Sequence, residues 1–129
     1  MILREVYQLL AQDAGLAALL GAHTGDTKIA PNYAAIGAKP PYLVYRCASG
    51  EKWLGAVYEE TAVFEAVADN YALCGLILAR VEAILRGASE QTYSSSDKRI
   101  FCALPCGGAD YMDQRGLHVR SEAYRFKFI

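Results

Sequence analysis

The chain reads as an α+β protein: an antiparallel sheet packed against one long amphipathic helix, with a short N-terminal helical segment. Three observations predict this class. Apolar residues recur at helical spacing from Tyr71 to Arg86. Glu60 to Ala68 alternates with a period of two, and the face formed by Ala62, Phe64, Ala66 and Ala68 is wholly apolar. The strand-like runs are grouped as hairpins around the helix instead of alternating with helices, which argues against a doubly wound parallel sheet.

Each element has a local cause. Leu3, Val6, Tyr7 and Leu10 follow the i, i+3, i+4, i+7 rule and give a first helix one apolar face. Asp13 interrupts that face and is placed to cap a short second helix carrying Leu16, Leu19 and Leu20, which Gly21 ends. From Gly21 to Pro41 the chain is rich in Gly, Ala, Pro, Asn and Thr, with Ile29 as its apolar anchor. It reads as a long loop holding one short strand. Pro40-Pro41 sets the start of a strand from Tyr42 to Cys47, rich in β-branched and aromatic residues. Ala48 to Ala56 then reads as a hairpin loop, with Gly50 and Gly55 as turn residues, leading into Glu60 to Ala68.

Asp69 or Asn70 caps the main helix, whose stripe is Cys74, Ile77, Leu78, Val81, Ile84 and Leu85. Ile77 and Val81 are expected in the core. Glu82 precedes Arg86 by one turn, and Gly87 is expected to stop the helix. Ser89 to Lys98 reads as polar linker, Ile100 to Leu104 as a strand and Pro105 to Gly116 as a glycine-rich loop. The last strand runs from Leu117 to Phe128, where Tyr124, Phe126 and Phe128 alternate with Ala123, Arg125 and Lys127. No internal repeat is present, and residues 1–129 are expected to form one domain.

Bulk properties narrow the function classes. With 129 residues the chain is long enough to bury a core, and its 53% hydrophobic content supplies one. A formal net charge of −1 without a basic run leaves no footprint for tight nucleic-acid binding. The apolar stretches fall well short of a membrane span, and the N-terminus has helical periodicity in place of a signal peptide's apolar block. These features predict a cytoplasmic protein. The four cysteines fit a reducing compartment. Cys74 on the helix stripe and Cys47 within a strand are both expected as buried free thiols. Cys102 and Cys106 lack the Cys-x-x-Cys pairing and second ligand pair of a structural zinc site, so no metal or cofactor is expected.

The same residues offer little to catalysis. Gly21 to Lys28 has the wrong glycine and lysine spacing for a phosphate loop. Cys106, His118 and Asp113 offer the residue types of a nucleophile, base and orienter, but match no local nucleophile signature. His23 lies far from His118 in sequence. Glu59 and Glu60 are adjacent on a strand and so point to opposite faces, which defeats shared acid–base work. Contact residues are better represented. Trp53 and Leu54 sit at the presumed hairpin tip, where they either fold back on their own domain or fill a neighbour's pocket. Of nine tyrosines, Tyr58, Tyr93 and Tyr111 lie in or beside predicted loops, suited to a partly wet interface. The candidate interface is Trp53, Leu54, Tyr58 and Tyr111.

One layout joins these pieces. Lys39-Pro40-Pro41-Tyr42-Leu43-Val44-Tyr45 follows a short helical N-terminus and the segment Thr27-Lys28-Ile29-Ala30-Pro31. It precedes the hairpin, the Glu60 to Ala68 strand and the helix to Arg86. Over nearly the whole chain this order resembles the tail-completion (tail-terminator) proteins of long-tailed bacteriophages and prophages. The resemblance implies a structural, non-enzymatic protein forming a ring, usually a hexamer. Such a ring caps the tail tube and is joined by head-connector proteins. It implies assembly in the bacterial host cytoplasm, residence in the virion tail, and no catalytic residues to carry over. A near-neutral ring around a DNA path would let a polyanion pass without holding it. Pro105 to Gly116 departs from the pattern. The rival readings are a small cysteine-dependent enzyme built on Cys106 and His118, or a ligand-binding module with a pocket between helix and sheet.

Overall fold

The computed structural model describes residues 2–21, 28–32, 39–90, 94–95 and 98–129. The phosphate-loop-like stretch from Ala22 to Thr27, with His23, lies outside them, as does Tyr93. The elements are α1 (Leu3–Ala11), α2 (Ala14–Leu20), β1 (Ile29–Pro31), β2 (Tyr42–Trp53) and β3 (Tyr58–Ala68), followed by α3 (Tyr71–Glu90), β4 (Ser94–Ser95), β5 (Lys98–Met112) and β6 (His118–Phe128). The strands form one sheet in the order β1-β2-β3-β6-β5-β4. The pairing is antiparallel throughout except for β1, which runs parallel to β2, so the sheet is mixed at one edge.

The helix caps form as their residues dictate. The Leu16 N–H donates to Asp13 Oδ2 at 2.8 Å, and Gly21 closes α2 in the left-handed region at φ 64°. Asn70, not Asp69, caps α3, its Oδ1 accepting from the Ala72 and Leu73 amides. Gly87 does not stop that helix, which continues to Glu90. Ala88 is buried against the core, and this packing outweighs the modest helix penalty of one glycine.

All three helices cover one face of the sheet. Val6, Leu10, Leu16, Leu20, Ile77, Val81 and Leu85 meet Leu43, Phe64, Tyr124, Phe126 and Phe128 in one apolar cluster. Ile77 and Val81 are fully buried, as the stripe predicts. Phe64 packs edge-on to Tyr124 at 5.6 Å and to Phe126 at 6.4 Å, the offset geometry that aromatic quadrupoles prefer. The opposite face has no helix over it among the described residues. There Tyr42, Val44, Val67 and Val119 form a smaller cluster with Leu117 against it.

Two predicted loops are largely strand. β2 continues through Ala48 to Trp53, leaving only Leu54 to Val57 as the turn. Register shifts between Cys47 and Ser49, and between Ser49 and Lys52, absorb its glycine and polar residues. β5 likewise runs from Lys98 through Pro105 and the two following glycines to Met112, not from Ile100 to Leu104. Its irregularity between Pro105 and Gly108 is a bulge beside β6. A Cβ on Gly108 would lie 2.1 Å from the Ser121 backbone oxygen, so that close approach requires glycine. Pro105 fits because strand proline is tolerated at bulges and edges. The polar linker shrinks accordingly, since α3 takes Ser89 and Glu90 and β5 takes Lys98.

A candidate assembly surface

The β2–β3 hairpin extends beyond the helical layer. Every residue from Cys47 to Ala56 is exposed. The register sets Trp53 opposite Tyr58, Tyr58 opposite Phe128 and Phe128 opposite Ile100, so one row crosses four strands on the helix-covered side. The row is buried at Phe128 and Ile100 and emerges at Tyr58, whose ring stacks on Phe128 at 5.7 Å. It ends at Trp53, 67% exposed, beside the exposed Leu54. Trp53 therefore does not fold back onto its own protomer. Phe101 and Ile129 are exposed at this same end, where Arg99 and Ile129 exchange backbone hydrogen bonds.

Tyr111 lies at the other end of the sheet. It pairs with Val119, and the next position, Met112, pairs with His118, both being exposed at the edge strand. The Tyr71 hydroxyl at the start of α3 donates to Asp110 Oδ2 at 3.0 Å, and Arg120 Nε donates to Asp110 Oδ1 at 3.1 Å. The Arg120 guanidinium lies 4.7 Å from the Tyr71 ring centre, which ties helix to hairpin. The turn that follows β5 is ordered by Asp113. Its carboxylate accepts from the Arg115 and Leu117 amides and from the Arg115 guanidinium, which also donates to the Tyr42 hydroxyl at 2.6 Å. Trp53, Leu54 and Tyr58 are thus gathered at one end, and Tyr111 stands at the other.

The fold is similar to that of a chain in a solved virion. That structure is described as the virion of a native gene transfer agent particle; the TM-score is 0.70 at 21% identity, covering 95% of this chain and 90% of that one. At this identity the likeness is one of fold. No family model matches the chain, and no curated protein matches it.

The imagined catalytic groups are not joined. Asp113 is committed to its own turn, and His118 packs edge-on to Tyr71 at 5.8 Å. No hydrogen bond links either of them to Cys106, which is exposed beside the β5 bulge. Glu59 faces Arg125 on the open side, whereas Glu60 is buried on the helix side and accepts from the Ile2 amide at 3.2 Å. Cys74 is buried as expected, its thiol donating to the Ala66 and His118 carbonyls. Cys47 is not. It shares the row of buried Ala62, but at this height β2 has passed the edge of the helical layer, leaving the thiol exposed. The four cysteines are free, and no group of metal-ligating side chains occurs among the described residues. Among those residues no helix is long and apolar enough to cross a membrane.

Two shallow grooves flank α3. One of about 530 Å³ lies between α3 and the bulged hairpin, with Glu82, Asp110, Arg120 and Glu122 on its walls. Burial and the neighbouring Glu82 carboxylate push the Glu122 carboxyl up. The other, about 500 Å³, is crossed by the Arg80–Asp13 ion pair. Sequence reasoning missed the exposed Phe101, Leu104, Met112 and Ile129. Phe101 and Leu104 read as core in a one-dimensional pattern, and only their place on the edge strand β5 makes them surface. Met112 falls in an expected loop, and Ile129 follows the end of β6.

Proposed function

We propose that this chain is a structural protein of a phage-like particle, one that caps the tail tube and takes part in head–tail joining as a homomeric ring. The observation that carries the reading is the fold likeness, over nearly the full length of both chains, to a chain of a gene transfer agent virion. The tail-completion layout read in the sequence supports it independently. A joint between two assemblies needs two dissimilar contact surfaces. Trp53, Leu54 and Tyr58 at one end of the sheet, and Tyr111 with Met112 at the other, supply apolar side chains of that kind. Self-association through unlike patches closes into rings when the rotation allows it. The partners on this reading are further copies of the chain, tail-tube subunits and head-connector proteins, without tight nucleic-acid binding. The chain assembles in the bacterial cytoplasm and ends in the virion tail. No residue is assigned a catalytic role.

The test is genetic. Removing the gene from a functional particle-producing system should leave separate filled heads, and tails of abnormal length or with unfinished ends, in electron micrographs. Normally joined, infectious virions would reject the proposal.

A further inference from the structure

We infer that copies of this chain join edge to edge, with the outer edge of β2 in one copy pairing antiparallel with the outer edge of β5 in the next. The inference deepens the ring reading above and rests on it for closure.

Four observations carry it. First, both long edges lack a covering strand among the described residues. β1 covers β2 only from Leu43 to Tyr45, and β4 covers β5 only at Lys98 and Arg99. Arg46 to Gly50 on one side and Ile100 to Met112 on the other therefore present backbone donors and acceptors outward, a template for another strand.

Second, the directions agree. β2, β3, β6 and β5 alternate antiparallel, so β5 runs opposite to β2. A copy set beside the first in the same orientation continues the alternation. Third, the heights agree. Ser49, Thr61, Arg125 and Leu104 share one row, and Cys47, Ala62, Tyr124 and Pro105 share the next. Arg46 to Gly50 then faces Ala103 to Cys106, and the β5 bulge between Pro105 and Gly108 marks the limit of this ladder.

Fourth, apolar side chains flank both edges. A ladder this short is too small to hold alone. Trp53 and Leu54 continue the β2 edge, and Phe101 and Leu104 stand on β5, all exposed in the protomer. The two edges differ in sequence and geometry, so the contact is head-to-tail and leads to a ring or a filament, not a two-fold dimer. A β5–β5 dimer would set the Pro105 bulge of one copy against the same irregular edge of the other.

Native thiols report on the contact. Cys47 is exposed on the β2 edge, and Cys106 is exposed one residue beyond Pro105, which shares the row of Cys47. The intact purified chain is treated at mildly alkaline pH with a short homobifunctional maleimide, and the linked peptides are mapped by mass spectrometry. A ladder of oligomers joined Cys47 to Cys106 is expected, absent in Cys47→Ser and in Cys106→Ser. Leu104→Glu should lower the yield roughly tenfold by placing a charge in the contact. Cys47–Cys106 links in open chains support the edge pairing while rejecting the ring. A closed ring in electron micrographs without such links keeps the ring and overturns the edge pairing. Links only between identical cysteines, or a chain that stays monomeric and unlinked at millimolar concentration, overturn the edge pairing.

Discussion

Val81 shows how much one helix position carries. Its side chain is fully buried between α3 and the sheet, where a carboxylate would find neither water nor a counter-charge. Val81→Asp should cost on the order of 4 kcal/mol, enough to unfold most of the population in a urea or thermal melt. The cysteines give the opposite expectation. All are free and no metal cluster surrounds them among the described residues, so chelator and reductant together should leave the melting temperature unchanged. A large drop, or stoichiometric zinc in the purified protein, would contradict that. Partial burial and the Glu60 carboxylate push the Cys47 thiol up, so it is less thiolate at neutral pH than its exposure suggests. The fate of Cys47 was not legible in its strand pattern, because exposure there depends on how far the helical layer reaches.

At the scale of elements, caps and bulges set where the chain turns. Asp13 caps α2 and also accepts two hydrogen bonds from Arg80 of α3, at 2.7 and 2.8 Å. Asp13→Ala should cost about 1 kcal/mol for the lost cap, the exposed ion pair adding little. The Arg80 guanidinium holds the Asp13 carboxyl below its ordinary range against the opposing effect of burial. Its contribution is therefore complete above the ordinary carboxylate pKa of about 4 and is lost as pH falls through the lower folded-state value. The wild-type advantage over the variant, measured by urea unfolding, should shrink correspondingly in acid. In β5, Gly108→Ala drives a methyl into the Ser121 carbonyl and should destabilise the hairpin by about 1–3 kcal/mol, with loss of β5 amide protection in hydrogen exchange.

For the molecule as a whole, the helices seal one face of the sheet and leave its two ends apolar and exposed. The open face is laced by charge pairs, Arg46 with Glu65 and Arg125 with Glu59, which keep that surface polar. Trp53 stands clear of this scaffold. Trp53→Ala should leave the thermal melt unchanged while weakening association by about tenfold or more, as removal of an aromatic anchor does. Sedimentation of the two proteins at matched concentrations checks both halves. An unchanged association constant would remove Trp53 from the interface.

Periodicity reports on backbone conformation and on the direction each side chain takes, and both are local properties. The α3 stripe, the alternation of β3 and β6, the Asp13 cap and the Gly21 stop were therefore readable before any contact was known. The faces of Glu59 and Glu60 were readable for the same reason. The ends of β2, β5 and α3 were not. Strand residues such as Pro105 and Gly108 look like a loop until a neighbouring strand is there to accommodate a bulge, and Gly87 looks like a stop until a core lies beneath Ala88. The candidate surface divides along the same line. Trp53, Leu54 and Tyr58 were legible as apolar residues in polar surroundings. Their gathering at one end, the exposure of Phe101 and Leu104, and the uncovered edges of β2 and β5 depend on which strand lies beside which. That is decided by packing between segments far apart in the chain, about which a local pattern carries no information.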